Sequence, residues 1–494
     1  MPAAKPTYLL TRWVFLRGLA LVFAIAFVSI WVQVDGLIGS RGVRPIAEYL
    51  EDVRRFASDA NLLDLPTLGW WSASDASLHL QCAAGVLVSL GLFAGFAPRA
   101  CLLLLWGLYL SLATAGQEFL SFQWDVLLLE TTVFAIPFAP ASWLPRWTGV
   151  LAREKPPSPV ALFLVRWLLF RLMLASGWTK LAYDDASWLD GTALAFHYWT
   201  QPLPTWFGWW AHQLPEWFQR ASCFVMYGIE LGLPFLVFGP RILRRIAFAG
   251  LVLFQILIGL TGNYGFFNLL TILLCVPLLD DAICERWLPR RLLALLGRPQ
   301  TPQKGGTPGR LVQAALATLV VLQSTCTLLV NVRRLEEPPA WVAAVDRAIG
   351  PFRSLNDYGL FRVMTKTRRE IEIQGSEDGV TWKPYAFRWK PGDLDRAPAW
   401  VQPHMPRLDW QMWFAALGSP RGNRWFDPLL ERLLEGSPSV LGLLARNPFP
   451  DRPPRFVRAV LFDYRFTSPS QRAAGAAYWS RTALGTYAPA RSLR

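Results

Sequence analysis

Apolar residues come in long unbroken runs over roughly the first two-thirds of the chain and in short alternating runs after that. A helix that crosses a bilayer needs about 20 mostly apolar residues. Runs of that kind predict about nine spans, near residues 13–33, 79–96, 100–116, 123–140, 159–179, 221–239, 245–262, 266–280 and 310–331, the eighth being the shortest. The first run is longer than a secretory signal core and no small-residue cleavage site closes it, so it reads as a retained helix. Ile46, Leu50, Val53 and Ala57 recur at helical spacing behind Pro45, with Glu48, Glu51, Asp52 and Arg55 between them, which predicts a helix lying flat in the membrane interface. Tryptophan and tyrosine crowd residues 178–218, among them Trp188, Tyr198, Trp206, Trp210 and Trp217. Such rings suit an anchoring belt at headgroup level or a stacking site for a ligand.

After residue 331 the period changes. Glu370, Ile371, Glu372 and Ile373 alternate, Glu377-Asp378-Gly379 supplies a turn, and Tyr385, Phe387 and Trp389 alternate again, which predicts a hairpin. Phe456, Val460, Phe462, Tyr464 and Phe466 read as a later strand, and Asp427-Pro428 opens a leucine-rich helix that Gly436 closes. The expected architecture is a polytopic α-helical membrane protein with a C-terminal extracytoplasmic α+β or β-sandwich-like domain. Its parts would be a multi-pass region at residues 1–331, the outer domain at 332–467 and a flexible Ser-, Ala- and Arg-rich tail at 468–494.

Composition agrees with a membrane chain: 53% hydrophobic and 17% charged residues, with a mean hydropathy of +0.27 over 494 residues. The formal charge of +14 would suit nucleic acid in a soluble protein. Here the basic residues collect in alternate short loops, the usual mark of the cytoplasmic side, so no nucleic-acid partner is expected. Lys5 and Arg12, Arg99, then Arg146, Arg153 and Lys155, then Arg241, Arg244 and Arg245, then Arg286, Arg290, Arg291, Arg298 and Lys304 all fall on one side. That places the N-terminus in the cytoplasm and, with an odd number of spans, the C-terminal domain outside it. Only seven of the 49 basic residues are lysine, as in proteins of GC-rich bacteria, where the outer compartment would be the periplasm.

Six titratable residues sit where hydrocarbon is expected: Asp125, Glu130, Arg166, Arg171, Lys180 and Glu230. Each unpaired charge would cost about 2.5–3.5 kcal/mol, so they must be paired or hydrated. Depth along the helices predicts Lys180 with Asp125 at the outer edge and Arg171 with Glu230 deeper. Either these pairs fix helix packing, or they line a water-filled cavity in which a desolvated Lys180 acts as a base. Asp125 and Glu130 lie about 140° apart around a helix, which disfavours two-acid hydrolysis.

No G-x-S-x-G elbow, phosphate-binding loop, dinucleotide fingerprint or H-E-x-x-H stands in the sequence. The cysteines, at 82, 101, 223, 275, 284 and 326, form no C-x-x-C, and His79, His197, His212 and His404 have no ligand spacing, so no metal and no cofactor are expected.

Four longer motifs are specific: Phe122 to Glu130 (FQWDVLLLE), His197 to Pro204 (HYWTQPLP), Thr261 to Asn268 (TGNYGFFN) and Pro403 to Phe414 (PHMPRLDWQMWF). With Leu355 to Thr365 and the turn at Gly375 to Trp382, they resemble the lipase maturation factor family from about residue 12 to 466. The resemblance implies a polytopic membrane protein whose family region faces the endoplasmic reticulum lumen in animals and assists the folding of secreted lipases. A shorter stretch, Gly177, Lys180, Leu181, Asp185 and Trp188, resembles the lysine-bearing segment of vitamin K-dependent carboxylases.

Two functions follow as expectations. The first is a non-enzymatic maturation factor whose partners are the bilayer and an exported lipase or other secreted client. Its client-binding or domain-docking residues would be His197, Tyr198, Gln201, Asn263, Tyr264, Asn268, Asn356, Tyr358, His404, Arg407, Asp409 and Trp410. The second is a membrane enzyme of the carboxylase-like kind with Lys180 as catalytic base. A transporter ranks third, because the large outer domain has no place in it.

Overall fold

The computed structural model describes residues 7–145, 148–297 and 308–493. Lys5, Arg146, Arg298 and Lys304 of the orientation argument lie outside the described residues, as does the side chain of Arg153. In chain order the helical part runs through α1 Leu9–Trp31, α2 Ile46–Phe56, α3 Asp75–Ala94, α4 Pro98–Ala115, α5 Gln123–Phe138, α6 Pro159–Ala182, α7 Glu216–Tyr227, α8 Arg241–Thr261, α9 Phe267–Cys275 and α10 Pro308–Asn331. Local chemistry sets several ends. Ser74 caps α3 by accepting the Ser77 amide at 3.2 Å, Gly95 ends it in the left-handed region at φ 94°, and prolines open α4 and α6 where an amide would have no partner.

Six of these helices, α1, α3, α4, α6, α8 and α10, are long and apolar enough to cross a membrane. The other three predicted spans are helical but differ in kind. The 16 residues of α5 rise only about 24 Å, less than the ~30 Å hydrocarbon core. The nine of α9 pass into a short 3-10 turn at Val276–Leu278, and α7 unwinds into a π turn at Gly228–Gly232 before Leu233–Leu236. The α2 helix forms where its spacing predicts, but its apolar face does not turn to a membrane surface. Ile46 and Leu50 are buried at the turn Leu68–Trp70, where a side chain on Gly69 would come within 2.5 Å of Ile46 Cδ1, and Glu48 pairs with Arg432 at 3.2 Å.

The C-terminal part is α+β. Strands β1 Arg368–Ser376, β2 Lys383–Pro384, β5 Phe456–Phe466 and β6 Trp479–Arg491 form an antiparallel sheet in the order β2-β1-β5-β6, while β3 Ala386–Phe387 and β4 Leu444–Arg446 pair separately. With its second sheet reduced to two short strands, the region is not a sandwich. Ile371, Ile373, Val457 and Ala459 turn one face of the sheet toward helices α11 Arg407–Ala416 and α12 Phe426–Leu434, and the buried cluster they join continues into the membrane helices.

Two predictions are revised here for physical reasons. The expected hairpin forms, but its second arm is short: it pairs at Lys383 and Pro384 and through the Tyr385 amide to the Ile373 carbonyl, and the chain then swings away to meet β4. Residues 479–491, expected within a flexible tail, are a strand along β5 with Trp479 and Ala488 buried. The Ala- and Ser-rich composition hid it, since an edge strand exposed on one side needs few large apolar residues.

Candidate functional site at the junction of helices and sheet

The informative chemistry lies where α11 and the segment 353–364 pack on the ends of the helices. Each intramembrane acid has a basic partner, but not the one depth suggested. Asp125 of α5 is held by Arg407 of α11, whose two terminal nitrogens reach the two carboxylate oxygens at 2.7 and 2.8 Å. Tyr109 of α4 donates to the same carboxylate at 2.5 Å, and Arg407 also donates to the Phe119 carbonyl at 2.7 Å. Arg407 and Asp125 are both fully buried. Such a bidentate pair matches guanidinium and carboxylate geometry better than a lysine could.

Glu130, five residues on, turns to a different set. Arg171 of α6 pairs with one oxygen, while the other accepts from the Tyr358 hydroxyl at 2.7 Å, the Asn356 amide at 3.0 Å and the Asn356 side chain at 3.1 Å. Arg171 donates in turn to the Asn356 carbonyl at 3.1 Å. The third pair is Lys180 with Glu230, at 2.8 and 3.1 Å. Lys180 also donates to the Ser176 carbonyl at 2.8 Å, so its three ammonium hydrogens are all taken up. Gly177 makes this approach possible, because a Cβ there would stand 2.8 Å from Glu230 Cβ.

The expected pairs Lys180–Asp125 and Arg171–Glu230 are therefore replaced by Lys180–Glu230, Arg171–Glu130 and Arg407–Asp125. Depth along a helix could not reveal that the partner of Asp125 comes from the C-terminal domain. Arg166 stands apart, donating to the Pro277 carbonyl at 2.7 and 3.0 Å and lying over the Tyr8 ring. No water-filled cavity around Lys180 is needed to satisfy it, because Glu230 and the Ser176 carbonyl accept its hydrogen bonds.

The remaining candidate residues form a second band around this core. Asn263 accepts the Val401 amide and donates to the Ala399 carbonyl, both at 2.8 Å. Tyr264 donates to Gln201 at 2.7 Å and meets His197 Nε2 at 3.2 Å, which makes Nε2 the protonated nitrogen of a neutral ring. Burial, with Lys180 adding, takes the His197 pKa down to about 4. Tyr198, whose hydroxyl burial pushes up to about 12, packs its ring 6.0 Å from His197. The Trp410 ring meets Trp124 at 4.8 Å and Tyr264 at 5.9 Å.

Ser29 Oγ accepts the Met405 amide at 2.9 Å and lies within hydrogen-bond distance of His404 Nδ1, at 3.0 Å. Burial, aided by Arg407 and Arg388, holds His404 at about 4. Asp409 accepts the Trp389 and Lys390 amides at 2.9 and 2.8 Å, while burial keeps its carboxyl above the ordinary range. Asn268 is the exception: it bonds Gln255 at 2.8 Å, within the helical part.

Several contributors carried no sequence signal of their own. Arg353 donates to the Leu120 carbonyl at 3.0 Å, and Arg368 to the carbonyls of Trp199, Gln201 and Pro202. Ser29 in the last turn of α1 and Gln33 just beyond it, polar and four apart at the end of an apolar run, could have been singled out, since Gln33 receives the Arg407 amide at 3.0 Å and donates to the Met405 carbonyl at 2.8 Å. Among the described residues no group of three or more His, Cys, Asp or Glu is placed to hold a metal ion.

Comparison with known proteins bears on these two packed regions directly. Residues 10–286 match the family model described as lipase maturation factor transmembrane domain, and residues 354–489 match the lipase maturation factor C-terminal domain. The chain belongs to the lipase maturation factor family. It is 36% identical to lipase maturation factor 1 of Bos taurus over 98% of this chain and 89% of that one. It is 36% identical to lipase maturation factor 2 of Gallus gallus over 95% and 79%, and 34% identical to the human lipase maturation factor 1 over 100% and 90%. No solved structure matches the chain. The similarity to carboxylases around Lys180 finds no support in these matches. Family membership and the helices together make this an integral membrane protein with several spans.

Proposed function

We propose that the protein assists the maturation of exported lipases, as the names of its relatives say of them, and does so without catalysing a reaction. The single observation that carries this reading is similarity over nearly the whole chain to lipase maturation factors, with both family regions present in order. The client would be an exported lipase or another secreted protein, engaged from the outer side by a domain that the Arg407–Asp125 and Asn356–Glu130 contacts hold in fixed relation to the helices. In this account His197, Gln201, Asn263, Tyr264, Asn356, Tyr358, His404, Arg407, Asp409 and Trp410 dock the domain rather than touch the client. The contacts that Asn263, Tyr264, Asn356, Tyr358, His404, Arg407 and Trp410 make between the two parts support that role, while Asp409 braces α11 through the Trp389 and Lys390 amides.

The proposed topology has about nine transmembrane segments, a cytoplasmic N-terminus and residues 332–494 outside the cytoplasm, in the periplasm if the source is bacterial. The gathering of Arg12, Arg99, Arg241 and Arg244 at the end opposite the sheet supports it. Co-expression of an exported lipase with and without the protein tests the function. A rise in lipase activity per lipase molecule, at equal lipase transcript, is expected; a rise in lipase amount with unchanged specific activity would contradict it.

A further inference from the structure

The face of the sheet turned away from α11 and α12 is polar, and the loop 391–396 arches over it. Between them lies a cavity of about 550 Å³, within the ~300–1,000 Å³ usual for small-ligand sites. It belongs to no contact of the helix–sheet junction. Its floor is β1 and β5, which present Glu370 and Glu372 beside Phe462 and Tyr464.

The floor is internally neutralised. Glu370 pairs with Arg368 and Lys390 at 2.7 and 2.8 Å, and Glu372 with Arg481 at 2.7 Å. The acids lining the cavity, Glu370, Glu372, Asp393 and Asp395, equal the bases in number, which are Lys390, Arg396, Arg446 and Arg481. A strongly charged ligand would find no net attraction, and a wholly apolar one would leave these groups without water or partner.

Hydrogen-bonding capacity nevertheless remains. At the rim, Asp395 and Arg446 are exposed, and their side chains form no hydrogen bond or ion pair among the described residues. Together they offer an acceptor and a fork of donors. Pro384, Phe387 and Leu394 supply an apolar side to the same space.

We propose that this cavity is a binding site for a compact, neutral, polyhydroxylated ligand of the saccharide class. A sugar ring carries hydroxyls that donate and accept around its edge and C–H groups on its faces, which is the mixture the cavity presents. The ligand is either a free saccharide or a glycan borne on a protein. The inference does not rest on the maturation function.

The test uses the full chain in a detergent without a sugar headgroup, titrated by calorimetry with maltotriose, cellotriose, chitotriose and mannotriose. At least one should bind saturably below about 10 mM, and Asp395→Asn and Arg446→Gln should each weaken it about tenfold. Both residues are exposed at the rim and outside the domain core, so the variants' thermal midpoints should match the wild type. Glycosylated ribonuclease B, set against unglycosylated ribonuclease A, separates the sources: binding of the former alone assigns a protein-borne glycan, and binding of free oligosaccharides only assigns a soluble sugar. Absence of binding by every probe, or equal affinity in the wild type and both variants, overturns the proposal.

Discussion

Arg407 reaches from the C-terminal domain into the ends of the membrane helices and holds both carboxylate oxygens of Asp125, at 2.7 and 2.8 Å, with neither side chain exposed. The pair joins the two regions that match separate family models, so the domain and the helices fold as one packed unit.

Removing one member of such a pair leaves the other charged and buried, at a cost of about 3–5 kcal/mol, whereas removing both costs less. Arg407→Met should therefore lower the thermal midpoint in detergent and expose residues 332–493 to protease. The double variant Arg407→Met/Asp125→Asn should recover much of the loss. A single variant as stable as the wild type would contradict the pairing.

The Lys180–Glu230 pair is read as packing, not chemistry. Lys180→Met alone should reduce accumulation, and Lys180→Met/Glu230→Leu should restore it together with lipase maturation. A double variant that accumulates normally but matures no lipase would give the lysine a chemical role.

Gly177 allows α6 to meet the π turn, a Cβ there standing 2.8 Å from Glu230 Cβ and 2.9 Å from Leu231 Cδ2. Gly177→Val should separate the helices and destabilise the protein by more than about 1–3 kcal/mol, the usual cost of overpacking, because it also stretches the ion pair. A thermal midpoint equal to that of the wild type would contradict this.

Acid should loosen the junction. His197 and His404 titrate near 4 in the fold against 6.5 unfolded, so from pH 6.5 down to 4 the unfolded chain binds more protons and stability falls. Asp409 works the other way: burial holds its carboxyl above the ordinary range, so protonating it favours the fold, at lower pH than the histidines begin to titrate. The thermal midpoint should fall from pH 7.5 to 5, more gently in His404→Asn and more steeply in Asp409→Asn. Identical slopes in all three would contradict the assignment.

What the sequence disclosed follows from the range of each signal. Long apolar runs located the six helices long and apolar enough to cross a membrane, because insertion depends on local composition. The charges in Asp125, Glu130, Lys180 and Glu230 announced buried pairs, since hydrocarbon does not tolerate them alone. Their partners stayed hidden because Arg407 is 282 residues from Asp125, a contact no periodicity records. Residues such as Tyr358 and Asn356 could be marked as docking or client contacts through family motifs, but only the packing shows them turned toward Glu130.

The β6 strand was lost to its composition. Truncation after residue 478 should remove the buried Trp479 and Ala488, strip β5 of its neighbour and abolish accumulation of the protein. Normal accumulation would mean the strand is dispensable.

The most direct test of the central claim is deletion of the gene in its native host, with exported lipase activity measured per molecule of lipase at matched transcript. Specific activity should fall and be restored by the wild-type gene and by Lys180→Met/Glu230→Leu. Unchanged specific activity in the deletion strain would contradict a role in lipase maturation.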